Sequence, residues 1–277
     1  MKPVRFDYVR AADITAAIAL ASRENAVVKF LAGGQSLGPM LNLRLVQADV
    51  LVDITAIAEL KHVEEAPDSL TIGSCVTHAD IEDGRVPDVT RGMLRAVAAG
   101  IAYRAVRNRG TIGGSLVHAD PSADWISALA ALGAEAIVRD ARRERRLAVE
   151  TLMTGVFECS LAAGELLSGI RVPRLSSSAR WGYYKSCRKT GEFAHAIGGY
   201  LCDPDRSICR AVIGATGSKP IVFADATPLF GGTTGAQDGI DRSLIVQVMA
   251  SHGVTDPIEQ QIHFACLRRA IAQASQP

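Results

Sequence analysis

The sequence carries almost no excess charge of either sign: 30 basic residues stand against 29 acidic ones over 277 positions, a formal net charge of +1. No global field therefore draws it to nucleic acid or to an anionic membrane. Long apolar runs are missing as well. The opening MKPVRFDYVR has no apolar signal-peptide core, and no later stretch approaches the roughly 20 residues of a membrane-spanning helix. These absences read as a cytoplasmic chain without an integral membrane segment. Clustered cysteines are also lacking. Cys75, Cys159, Cys187, Cys202, Cys209 and Cys266 stand apart, without the CxxC spacing that holds zinc or an iron-sulfur cluster. Their plain reading is as small apolar side chains kept reduced, so any iron-sulfur chemistry belongs to another chain. Finally, there is no Ser-His-Asp or Cys-His nucleophile pattern and no HExxH metal site, so neither catalytic nor metal-binding residues are expected.

What is present supports a folded core. Apolar residues make up 48% and charged residues 21%, the balance of a globular protein. The length predicts a two-part body with a smaller appended domain. A strand is expected at residues 4–6, then a helix capped by Asp13 with Ile14, Ile18 and Ala21 on one face. Val27 to Leu31 reads as a strand running into Gly33-Gly34, with Ser36 placed to cap a short helix that has Pro39 near its start. Val50 to Ile54 closes this first α/β unit.

The second unit contains a strand around Leu70-Thr71-Ile72, helices near 77–82 and 88–99, a glycine loop at 110–115 and a helix from Asp124. Ala136–Val138 and Leu147–Val149 flank the run Arg139 to Arg146, which reads as a charged hairpin tip because no aromatic residues interleave it. Strands at 165–172, 181–186, 198–201 and 208–213, then helices at about 240–250 and 257–273, form a third, α+β segment.

Two stretches carry chemistry. In Lys29-Phe30-Leu31-Ala32-Gly33-Gly34-Gln35-Ser36, consecutive glycines let backbone N–H groups turn toward one point while the next helix adds its positive end. Such a loop can hold a pyrophosphate with few basic side chains. Alone, a glycine pair after a strand is also an ordinary turn. Thr111-Ile112-Gly113-Gly114-Ser115 repeats the design about 80 residues later, followed by His118, Asp120 and Asp124. Together the loops could grip one long diphosphate ligand from both sides. Neither has the GxGxxG spacing of a Rossmann fingerprint or the terminal Gly-Lys-Ser/Thr of a P-loop, so a different nucleotide fold is expected.

The segments AGGQSLGPMLNLRL at 32–45 and TIGGSLVHADPSAD at 111–124 resemble the two FAD motifs of the molybdenum hydroxylase flavoproteins. The likeness extends to LVDIT at 51–55, GSCVTHADIE at 73–82, ELLSGIRVP at 165–173 and YYKSCRKTGEFAHA at 183–196. The resemblance implies an α+β fold with a vanillyl-alcohol-oxidase type FAD domain over residues 1–175. Its subdomains would span about 1–57 and 58–175, with a C-terminal domain over 176–277. It implies that Ala32, Gly33, Gly34, Gln35, Ser36, Gly113, Gly114 and Ser115 bind the diphosphate of FAD. Lys29 and Leu31 would lie on the preceding strand, Thr77 beside the cofactor, Thr111 at the start of the second loop and His118 and Asp120 after it. Asp124 would sit at the nucleotide portion, and Leu167 and Lys185 on the isoalloxazine side.

Plain structural alternatives stand beside these. Lys29 and Lys185 could be exposed strand lysines, although a positive charge near the ring favours its reduced form. Asp124 could cap its helix, His118 could be a hydrogen-bonding loop residue, and Leu167 is a core residue on either reading. Glu192, Phe193 and Trp125 depart from the common family wording.

The implied function is electron relay: electrons arrive from a 2Fe-2S iron-sulfur subunit and leave to an external acceptor, while a large molybdopterin subunit acts on the organic substrate. The assembly would be a dimer of heterotrimers. Two rival readings are a stand-alone flavin oxidase of the same fold, for which the C-terminal hundred residues look small, and a scaffold that has lost FAD, against which the intact glycines speak.

Overall fold

The computed structural model describes residues 1–23, 25–232 and 239–275. The first block holds β1 (Asp7–Arg10), α1 (Ile14–Ala21), β2 (Val28–Leu31), α2 (Leu37–Asn42) and β3 (Val50–Asp53), with the three strands parallel in the order β1-β3-β2. All four residues of β3 are buried, as expected for the central strand of a covered parallel sheet. The first strand lies at 7–10 and not at 4–6. Its position is set by a distant partner, since the Tyr8 hydroxyl and the Arg10 guanidinium both donate to Asp53 at the end of β3. The Asp13 side chain accepts from the Ala16 N–H at 2.7 Å, which caps α1 as expected. Ser36 precedes α2 without any side-chain capping bond.

The second block runs through β4 (Val63–Glu65), β5 (Ser69–Gly73), α3 (His78–Glu82), α4 (Met93–Ala99), α5 (Arg104–Arg107), α6 (Ile112–His118) and α7 (Asp124–Ala131). It continues with β6 (Glu135–Arg139), β7 (Glu144–Ala148), α8 (Val149–Leu152), β8 (Met153–Gly155), β9 (Glu158–Cys159) and β10 (Leu166–Pro173). Five strands form an antiparallel sheet in the order β4-β5-β10-β6-β7. The charged hairpin is present, its tip closed by Asp140, whose carboxylate accepts from the N–H groups of Arg142 and Arg143 at 2.6 and 2.8 Å. The helix expected from 88 begins only at Met93, because the Asp88 carboxylate turns the chain by accepting from the Thr90 N–H at 2.9 Å. The stretch expected as a glycine loop at 110–115 is mostly the first turn of α6, with Thr111 as its N-cap.

The third block consists of β11 (Arg180–Ser186), β12 (Ala196–Asp203), β13 (Ile208–Gly214), β14 (Ile221–Phe223), α9 (Arg242–Ser251) and α10 (Pro257–Ala274). Its strands form an antiparallel sheet in sequence order. Leu267, Ala270 and Ile271 of α10 pack into one apolar cluster with Tyr200 of β12. α7 joins the blocks: all eight of its residues are buried. Its Trp125, Ile126 and Leu129 share one core cluster with Leu70 and Ile72 of the second sheet and with Leu201 and Val212 of the third. The architecture is α+β.

Candidate cofactor site

The loop after β2 and the start of α6 meet face to face. A Cβ on Gly33 would collide with the backbone of Arg109 and Gly110, so only a bare Cα lets the two segments touch. Gly34 has φ +70°, in the region that favours glycine, and turns the chain into α2. Gly113 lies against Ser74, and a Cβ on Gly114 would stand 2.8 Å from Thr111 Oγ1 and 3.7 Å from the Ala32 methyl. Between these segments lies a cavity of about 710 Å³, within the range of sites for large ligands.

Of the candidate residues, Lys29, Ala32, Gln35, Ser36, Thr111, Gly113, Gly114, Ser115, His118, Asp120, Asp124 and Leu167 line this cavity. Leu31, Gly33, Gly34, Thr77 and Lys185 do not. Leu31 is the last residue of β2, and Gly33 and Gly34 shape the wall from behind. The Thr77 hydroxyl is engaged in a capping box with Asp80: it donates to the Asp80 carboxylate at 2.6 Å and accepts from the Asp80 N–H at 3.1 Å.

The two loops differ in what they offer an anion. The N–H groups of Gly33, Gly34, Gln35 and Ser36 have no acceptor among the described residues, and Gln35 Nε2 steadies the turn by donating to Gly33 O at 2.9 Å. Of these, the donors of Gln35 and Ser36 belong to residues that line the cavity and can serve phosphate oxygens. At the second loop the backbone donors from Ile112 to Ser115 are already engaged. The N–H groups of Ile112, Gly113, Gly114 and Ser115 go to Val76 O, Ser74 O, Thr111 Oγ1 and Thr111 O. The two loops are therefore not equivalent: unengaged backbone donors run through the first, while in the second those from Ile112 to Ser115 are taken. The second contributes a surface without side chains, and its glycines serve close packing.

Asp124 is the first residue of α7 and does not cap it; Ala123 holds the N-cap position. Its carboxylate instead accepts from Lys185 Nζ at 2.9 Å and from the Tyr183 hydroxyl at 2.9 Å. Burial pushes the Asp124 carboxyl above its ordinary value, while Lys185 and Tyr183 oppose that shift. Lys185 also donates to Gly100 O at 2.9 Å. Its charge thus lies behind the wall, balanced by Asp124. Lys29, by contrast, is exposed on the cavity side.

Several residues at the cavity were not singled out from the sequence, although Ser74, His78 and Gly191 lie in segments that carry the family likeness. Phe157 at the mouth lies 5.0 Å from the His118 ring, centroid to centroid. The Ser74 hydroxyl is buried and has no hydrogen-bond partner among the described residues. His78, only 5% exposed, accepts from Trp125 Nε1–H through Nδ1 at 3.0 Å. The segment Ile101-Ala102 is held from outside by Arg107, whose Nη1 donates to both carbonyls at 2.8 and 2.9 Å. Gly191 of the third block meets this segment through an isolated bridge to Ile101. Unpartnered donors on one loop and bare glycine backbone on the other fit an elongated diphosphate nucleotide.

Comparison with known proteins gives the same assignment. Residues 4–175 match the family described as the FAD binding domain in molybdopterin dehydrogenase. Caffeine dehydrogenase subunit beta of Pseudomonas sp. (strain CBB1) is 32% identical, over 99% of this chain and 96% of that protein. The carbon monoxide dehydrogenase medium chain of Afipia carboxidovorans is 28% identical over 99% of this chain and 98% of that one. Among solved structures, a chain of the carbon monoxide dehydrogenase of Hydrogenophaga pseudoflava superposes with a TM-score of 0.86 at 26% identity, over 99% of this chain and 98% of that chain. With its matched segment spanning the first two blocks and the cavity between their glycine segments, the chain belongs to the family of FAD binding domains in molybdopterin dehydrogenases.

Proposed function

We propose that this chain is the FAD-binding, electron-transferring subunit of a molybdenum hydroxylase complex. It receives electrons from a 2Fe-2S subunit and passes them to an external acceptor, while a large molybdopterin subunit acts on the substrate. The observation that carries this reading is the cavity between the two glycine segments, lined by Gln35 and Ser36 of a first loop whose backbone N–H groups have no acceptor among the described residues. The relatives' names support the assembly: a "subunit beta" and a "medium chain" are parts of multi-chain dehydrogenases. The solved carbon monoxide dehydrogenase is described as lacking the Mo-pyranopterin moiety of its molybdenum cofactor.

In this reading the Gln35 and Ser36 N–H donors, with the Ser36 and Ser115 hydroxyls, hold the diphosphate, and the cavity mouth around Ile101, Ala102, Phe193 and Leu167 holds the ring. Bound flavin supplies one- and two-electron redox chemistry. The protein's part is to orient it, screen it from water and set the local charge. Residues 1–175 then form the FAD-binding domain, with subdomains dividing near residue 57, and residues 176–277 form a C-terminal domain that closes one wall. No helix among the described residues is long and apolar enough to cross a membrane. No disulfide joins any of the six cysteines, which supports a cytoplasmic place.

The test is direct. Purified chain should be yellow, and acid precipitation should release FAD into the supernatant, since no bond to the cofactor is expected. A colourless protein that also refuses added FAD overturns the proposal.

A further inference from the structure

His78 stands at the start of α3 with its imidazole on the cavity wall. Trp125, fully buried, directs its indole N–H at His78 Nδ1. An indole nitrogen can only donate, so Nδ1 must accept and cannot carry a hydrogen. The ring is therefore neutral, with its hydrogen on Nε2. Burial, with the nearby Arg107 charge, acts in the same direction and pushes the group down to about 4. Nε2 lies beside Gly110: a Cβ there would stand 2.8 Å away, so the bare glycine keeps the space next to the donor clear. No protein acceptor for Nε2–H exists among the described residues.

The position of this open donor matters because of what the second loop lacks. The backbone N–H groups of Ile112 to Ser115 at the start of α6 are engaged, so beyond the Thr111 N–H that loop has little backbone to offer an anion and a side-chain donor gains weight. His78 Nε2–H, reaching from α3 to Gly110, is one such donor. Arg107 is not available for the task, because its guanidinium is engaged by Glu82 and by the carbonyls of Ile101 and Ala102. We propose that His78, held in its Nε2–H tautomer by Trp125, is the second loop's hydrogen-bond donor to the diphosphate of FAD, with Trp125 as its positioning residue. The proposal rests on the FAD reading above and adds to it a named donor, its tautomer and the residue that sets it. Trp125, the departure from the common family wording, acquires a role in this way.

The experiment uses the full chain stripped of cofactor, titrated with FAD, ADP and riboflavin by fluorescence. His78→Phe keeps the ring's bulk and removes the donor. It should weaken FAD and ADP roughly tenfold or more, the scale of a hydrogen bond to a charged group, and leave riboflavin, which has no diphosphate, unchanged. His78→Gln, which restores an N–H donor, should recover part of the loss, and Trp125→Phe should weaken FAD by a smaller factor. Should a variant fail to fold, the unmutated chain labelled with 15N-histidine decides. His78 should show a protonated Nε2 and an unprotonated Nδ1, and its Nε2 resonance should move when FAD or ADP is added. Unchanged FAD affinity in a folded His78→Phe, or an Nε2 resonance indifferent to both ligands, overturns the role of His78 while leaving FAD binding intact. Unmutated chain that binds no FAD brings down the cofactor reading and this proposal together.

Discussion

Lys185 Nζ lies 2.9 Å from Asp124 Oδ2, an ion pair whose side chains are 11% and 9% exposed and which ties β11 of the last sheet to the first turn of α7. Because Asp124 lines the cavity and Lys185 does not, the pair couples the third block to the cofactor wall without placing a free cation there.

Removing one partner of such a pair leaves a buried charge uncompensated. Lys185→Met should therefore destabilise the chain by about 3–5 kcal/mol. The double variant Asp124→Asn with Lys185→Met should regain a large part of that loss, since both charges are then gone. Denaturant unfolding of the three proteins checks this. Lys185→Met with the stability of the unmutated chain would show that the pair is solvated and of little weight.

His78 gives the stability a pH dependence of known sign. Its folded-state value, about 4, lies below the ordinary 6.5, so between these pH values the unfolded chain binds more protons than the folded one. Stability from this group is fully present above about pH 6.5 and falls as pH drops toward 4, by about 3 kcal/mol in all. Burial shifts His118 and His263 in the same direction, so a single melting profile does not isolate His78. The difference between the unmutated and His78→Gln profiles does, and it should open across pH 4 to 6.5 and stay level above. A constant difference across that range would contradict the buried neutral imidazole.

The order of elements was legible from local pattern. Asp13 before an apolar helix, the β-branched run at Val50 and the charged hairpin tip each follow from short-range chemistry, and each has its observed counterpart. What escaped depends on partners far along the chain. The first strand takes its place from Asp53, more than forty residues away. Lys185 and Asp124 were read separately, and nothing in the spacing of 124 and 185 reveals that they pair. His78 lay inside the quoted 73–82 stretch but was not singled out as a site residue, since its orientation is set by an indole 47 positions later. The glycines at 113 and 114 announced a special backbone, but only the packed structure shows that the need is close approach to Ser74 and Thr111.

That distinction separates two glycine variants. Gly33→Ala places a methyl against the backbone of Arg109 and Gly110, which cannot yield easily, so it should lower both apo stability and FAD affinity. Gly114→Val meets mainly the Thr111 hydroxyl at 2.8 Å, while its methyl groups enter the space facing Ala32. It should weaken FAD binding more than it lowers the apo melting temperature. Cofactor titration beside apo melting resolves the two cases. Equal FAD affinity in Gly114→Val would mean that this face of α6 does not approach the cofactor.

The isolated chain should show little dehydrogenase activity toward organic substrates, yet its flavin should be reduced whenever the whole complex turns over. The residues around the cavity explain the first half. His78 is neutral with Nδ1 engaged by Trp125, and Asp124 is committed to Lys185 and Tyr183, so neither is arranged as a general base toward a substrate. The second half follows from the relay: electrons must arrive from a neighbouring iron-sulfur centre, since the cysteines here are scattered along the chain without cluster-ligand spacing. Reconstitution with an iron-sulfur and a molybdopterin subunit, followed by stopped-flow absorbance after substrate addition, should show cluster and flavin bleaching in a linked sequence. A chain that alone oxidised a small molecule at an ordinary enzymatic rate, on the order of 10 per second, would have to be a stand-alone flavin oxidase instead.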